Sequence, residues 1–131
     1  MGETSDSLSS GAGGSPVQLL DREQIDSLVE AAGVEGAREI LAAFHRSTHE
    51  LLAKLKDELG RGDLDEAART AHALKGSAAN VGALALSGAA RIVEDACKSD
   101  DAATALGQLT GAGAQFADTI AAFDDLLSNA A

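Results

Sequence analysis

The 131-residue chain has little aromatic, basic or sulfur-bearing side chain. Its aromatic content is three Phe, with no Trp and no Tyr, so platforms for stacking nucleic-acid bases are almost excluded. Ten basic residues face 21 acidic ones, a net charge of -11. A surface of that sign repels nucleic-acid backbones and anionic membranes alike. The single cysteine, Cys97, leaves no intramolecular disulfide and no multi-cysteine zinc site, and it suits a reducing compartment. No apolar run approaches the roughly 18 residues of a membrane helix. Residues 1–16 carry Glu3, Asp6 and a Ser/Gly mixture where a secretory leader has basic and then apolar residues. The expected location is the cytoplasm, and the length fits one domain.

What is present is mostly small and apolar. Hydrophobic residues make up 45% of the chain; Ala supplies much of this and β-branched residues are few, which favours close-packed helices over sheet. Residues 1–16 are polar and low in complexity, closed by the only proline, Pro16. They are expected to form a flexible tail, with residues 17–131 as the folded domain.

Five helices are expected there. Asp21 and Gln24 form a capping box for the first, with Leu20 and Ile25 as its hydrophobic staple. Ile25, Leu28, Val29 and Ala32 give its apolar side, and Gly33 ends it. The second runs from about Val34 to Leu59, with Ala37, Leu41, Phe44, Thr48, Leu51, Leu55 and Leu59 as one buried stripe. Asp63 and Glu66 open the third, whose core positions are Ala67, Ala71, Leu74, Ala78 and Val81, with Asn80 and Gly82 at its stop. The fourth carries Leu86, Ala89, Ala90, Val93 and Cys97. Ser99 or Asp100 caps the fifth, which carries Leu106, Leu109, Phe116, Ile120, Phe123 and Leu127 and is weakened by the glycines between Thr110 and Gly113. Links of about three residues force antiparallel neighbours. The expected fold is all-α: an up-down four-helix bundle with a short extra N-terminal helix covering one end.

One position breaks the pattern of bland helix surfaces. His72 follows core residue Ala71 and precedes Leu74 by two, so it turns away from the buried stripe. On its face lie Arg69, Lys75, Gly76 and Ala79. Glycine inside a helix costs about 1 kcal/mol against alanine. Side chains lean toward the helix N-terminus, so a side chain at position 76 would cover His72. Its absence opens the imidazole to something large, or else admits another helix. The Lys75 ammonium suits phosphate oxygens, and a neutral imidazole can attack phosphorus.

The run Ala71-His72-Ala73-Leu74-Lys75-Gly76-Ser77-Ala78-Ala79-Asn80-Val81-Gly82-Ala83 resembles the signature of histidine-containing phosphotransfer domains, helical bundles that relay phosphoryl groups between receiver domains of two-component systems. Leu20-Asp21, Ile40-Leu41 with Phe44, Gly62-Asp63 and Val93-Glu94 extend the resemblance over about residues 19–127. It implies that His72 is the phosphoacceptor, that Lys75 assists the phosphoryl group, and that Gly76 clears space for the receiver. Ser77, Asn80 and Gly82 match as structural positions. The high share of Ala is the main departure from the family pattern.

The resemblance implies reversible transfer between a receiver aspartate and His72, the more exposed ring nitrogen reacting. The chain has no P-loop or kinase glycine loop, so it is expected to be a stoichiometric carrier without autokinase activity. It holds no cofactor of its own: Mg²⁺ and its carboxylates come from the receiver. Apolar residues near His72, from the first and second helices, are expected to contact the receiver; the partners implied are response-regulator receivers and a hybrid histidine kinase. The chain itself reads as a free-standing monomer.

Three rival readings stand beside this one. His45 and His49, four apart, have metal-ligand spacing but no third ligand. Asp26-Ser27-Leu28 resembles an acyl-carrier attachment motif, yet Ser27 lies inside a helix and not at its start. A protein-binding bundle without chemistry explains the acidity and the stripes, but not the open, cation-flanked face at His72.

Overall fold

The computed structural model describes residues 18–130, which form four α-helices and no strand. The expected tail, residues 1–16, lies outside them. Helix α1 spans Arg22–Gly60, α2 Leu64–Asn80, α3 Leu84–Lys98 and α4 Ala102–Ala130. The first two expected helices are the two arms of α1. They meet at Gly33, whose φ of 76° and ψ of 170° interrupt the helical path. Each helix packs on its chain neighbours, and α4 closes the ring on α1.

The three links are built alike. Each has three residues, with the middle one in the left-handed region: Gly62 (φ 74°), Gly82 (φ 80°) and Asp100 (φ 58°). In each, the third residue donates its N–H to a carbonyl five residues back: Asp63 to Glu58, Ala83 to Ala78, Asp101 to Ala96, at 2.8–2.9 Å. The middle residue donates to the carbonyl three back. This paired closure satisfies the last carbonyls of one helix while reversing the chain, and it makes neighbouring helices antiparallel. The cap of α4 is Asp101, one or two residues later than expected: its Oδ1 accepts from Thr104 N–H at 3.1 Å. Ser99 instead ends α3, and Asp100 is consumed in the turn.

Both expected capping boxes form by half. Asp21 and Asp63 accept from the N–H groups of Gln24 and Glu66, each at 3.3 Å. The reciprocal bonds go elsewhere. Gln24 Nε2 donates to Asn80 O at 2.9 Å, and Asp21 N–H donates to Gly82 O at 2.8 Å. Glu66 pairs with Arg69. The first box is thus spent on fastening the N-terminal arm over the α2–α3 link, with Leu20 and Ile25 buried beneath it.

The stripes expected on the long arm of α1, on α2 and on α3 are all buried, save that Leu51 is half-buried. Helix α4 differs. Leu106 is 43% exposed, whereas Ala105, Ala112 and Thr119 are buried alongside Phe116, Phe123 and Leu127. Its inward face therefore begins one residue earlier, on small side chains. The helix also runs unbroken through Gly111 and Gly113, so the expected weak point does not interrupt it.

All three Phe gather at the end covered by the arm, Phe44 meeting Phe116 and Phe123 edge-on at 6.4 and 6.1 Å. At the other end Leu55, Leu59 and Val93 pack with Ala67, Ala68, Ala71, Ala96, Ala105 and Cys97. Cys97 is buried as expected, and burial pushes its thiol pKa up, with the Glu58 charge adding to the rise.

Gly82 carries the arm's seat. A Cβ there would lie 3.0 Å from Asp21 O and 3.1 Å from Ile25 Cγ1, on a backbone at φ 80°. Gly82→Ala should destabilise the domain by about 2 kcal/mol, from left-handed strain plus crowding. The change should appear in urea unfolding as a lower midpoint with unchanged slope.

Candidate functional site

Helix α2 buries Ala67, Ala71, Leu74 and Ala78 and so turns His72 outward, its side chain 67% exposed. The ring is nonetheless held. Nδ1 lies 3.0 Å from Oε2 of Glu94 on α3. Glu94 is buried, 3% exposed, and accepts two further bonds: Lys75 Nζ on Oε1 at 2.7 Å and Lys98 Nζ on Oε2 at 2.9 Å. Three donors from two helices converge on one carboxylate.

Hydrogen bonds from Lys75, then Lys98, bring the Glu94 pKa down from 4.5 to about 2; burial opposes the shift and His72 contributes to it. Glu94 in turn raises the Lys98 pKa. An ionised carboxylate can only accept. The network therefore assigns the proton of the neutral imidazole to Nδ1, which leaves the Nε2 lone pair as the free one.

The neighbouring surface is bare. A Cβ at Gly76 would find no atom within 4 Å, so the glycine faces open space and not a packed helix. Beside it a groove of about 480 Å³ runs between α1 and α2, lined by Ile40, Ala43, Ser47, Ser77 and Asn80 among others. Ile40 is 39% exposed there. Ser87 Oγ on α3 donates to the Lys75 carbonyl at 3.0 Å, fastening α3 to the turn that bears Lys75.

Sequence reasoning placed His72, Lys75 and Gly76, and the structure brings all three to one face. It also expected Arg69 on that face. The Arg69 guanidinium is paired with Glu66, one turn back; the second cation of the cluster is Lys98. Glu94 and Lys98 were missed as site residues. A signal existed: Glu94 falls next to Val93 on the inward side of α3, where a carboxylate needs a partner, and Lys98 stands at i+4.

The rival residues lie apart. His45 meets Phe116 edge-on with ring centres 5.3 Å apart. Among the described residues no group of three or more His, Cys, Asp or Glu side chains gathers as a metal would need. Ser27 is an exposed position within the N-terminal arm of α1. Among the described residues, no helix is long and apolar enough to cross a membrane.

The Hpt domain family matches residues 39–131. The chain belongs to the Hpt domain family. Membership assigns it a phosphotransfer role in a phosphorelay. The crystal structure of histidine-containing phosphotransfer protein B (HptB) from Pseudomonas aeruginosa PAO1 is similar, with a TM-score of 0.79 at 25% identity, covering 87% of this Hpt chain and 98% of HptB. A rice protein assigned as a histidine-containing phosphotransfer protein shares the fold, with a TM-score of 0.76 at 22% identity over 84% of this chain and 82% of its own. No curated protein sequence matches the chain.

The Glu94 shift fixes the sign of an acid effect. Because the folded-state pKa is depressed, its stabilisation is complete above about pH 4.5 and is lost as pH falls toward about 2. With Lys98 and His72 largely exposed, the contribution is on the order of 1–2 kcal/mol. Urea unfolding across that window should show the wild type losing this increment relative to Glu94→Gln, which has none to lose.

Proposed function

We propose that the chain carries a phosphoryl group on Nε2 of His72 and exchanges it reversibly with the aspartate of a receiver domain. The observation that carries this reading is a solvent-facing imidazole with one nitrogen tied to a buried carboxylate and the other free, next to a lysine and a helix surface without side chains.

The step balances simply. The Nε2 lone pair attacks phosphorus in line, the N–P bond forms, and the aspartyl O–P bond breaks with the carboxylate leaving. Nδ1 keeps its proton. The ring becomes cationic as the bond forms, and the Glu94 carboxylate faces that charge through Nδ1–H. Lys75 supplies a point charge for the phosphoryl oxygens. Both Glu94 oxygens already accept hydrogen bonds, so the cluster offers no free carboxylate to a divalent cation. This supports Mg²⁺ being held by the receiver.

Docking uses the gap at Gly76 and the groove beside it. Ile40 and Ala43 of α1 offer apolar contact there, and α2 offers Gly76 and Ser77. The partners are response-regulator receivers, with a hybrid histidine kinase upstream. The reading places the protein in the cytoplasm, as a monomer whose two core clusters are filled from within the bundle.

Incubation with a phosphorylated receiver should label the wild type with an acid-labile phosphate and leave His72→Ala unlabelled, with unchanged helical circular dichroism. Persistent label on that variant would place the acceptor elsewhere. For Gly76→Leu, transfer from the receiver should fall at least about tenfold, or about 1.4 kcal/mol. A small chemical donor such as phosphoramidate should still label it, which separates blocked docking from damage to the imidazole.

A further inference from the structure

The ammonium of Lys75 has two partners to serve. In the unphosphorylated protein it donates to Glu94 Oε1 at 2.7 Å. Once a phosphoryl group sits on His72, three residues earlier on the same helix, that group's oxygens compete for it. Leaving Glu94 is not free of consequence. The carboxylate is 3% exposed, so water cannot replace the lost donor, and an unpartnered buried charge is strongly disfavoured.

Lys98 is placed to prevent that outcome. It stands on the same helix as Glu94, one turn on, so its hold does not depend on where α2 side chains go. It contacts Oε2 at 2.9 Å, the oxygen shared with His72 Nδ1, and not the oxygen used by Lys75. Its side chain is 63% exposed. Glu94 therefore has one lysine that can leave and one that stays, the second beside the His72 Nδ1 contact.

We propose that Lys98 is a positioning residue: it keeps Glu94 charged and His72 oriented while the Lys75 ammonium moves from Glu94 Oε1 to the phosphoryl oxygens. The inference rests on His72 being the phosphoacceptor.

The test labels the protein with phosphoramidate, whose P–N bond breaks and releases ammonia as the Nε2–P bond forms. The rate is read as the acid-labile gain in intact mass. Lys98→Met should label about tenfold more slowly, because Lys75 stays pinned on Glu94. Lys98→Arg should restore most of the rate, since it keeps a cation at i+4. Lys75→Met should also be slow, because the phosphoryl oxygens then lose their cation. The ¹⁵N shifts of His72 in unphosphorylated Lys98→Met should still report a proton on Nδ1, a readout that general damage to the site would move. A wild-type rate in Lys98→Met, or no rescue by arginine, overturns the inference. Label on His72→Ala, or none on the wild type, overturns the phosphoacceptor reading itself, whatever Lys98 does.

Discussion

The site depends on one dehydrated charge. Glu94 lies inside the α2–α3 interface, where a carboxylate is tolerated only with donors on its oxygens. Lys75, Lys98 and His72 supply them. A buried ion cluster is seldom a stability gain over a well-packed apolar group of the same size; its use here is directional. The carboxylate fixes the ring plane and assigns the Nδ1 proton, and so decides which nitrogen is nucleophilic. Two lysines against one glutamate also leave a local positive surplus on a protein of net charge -11. That surplus lies beside the open imidazole, where the proposed function brings a phosphoryl group.

That geometry needs helices that approach closely and do not slide. The abundance of alanine answers the first requirement. Ala67, Ala71 and Ala78 of α2 and Ala89, Ala90 and Ala96 of α3 are all buried. Side chains this short let a glutamate on one helix reach a histidine on the other. Every Phe is kept to the end covered by the N-terminal arm. The closed three-residue links and the Ser87–Lys75 bond answer the second requirement.

The features legible in the sequence were those set by spacing along one helix. Stripes at steps of three and four gave the core of three helices, and the offset of His72 from Ala71 gave its exposure. Gly76 could be read because a mid-helix glycine is locally unfavourable. What stayed hidden was set across helices. Arg69 lies three residues before His72, but only packing shows that its guanidinium turns to Glu66 while Lys98, on the next helix, turns to Glu94. Glu94 is 22 positions from His72, so no intrahelical rule links them. Gln24 abandoned its capping box for Asn80, a residue 56 positions away, for the same reason. Leu106 misled because size was read as burial; Ala105 fits the crowded interface at that end and Leu106 does not.

The exposure of the cluster bears on how a carrier differs from an enzyme. With His72 67% exposed and Lys98 63%, the charges around Nε2 act through water and are weakened by it. Only Glu94 is already in a low-dielectric setting. A partner seated over Gly76 and the α1–α2 groove would exclude that water and strengthen each of these interactions without moving a residue. Under the proposed function, the free protein holds its imidazole oriented but electrostatically weak, and the stronger field exists only in the complex.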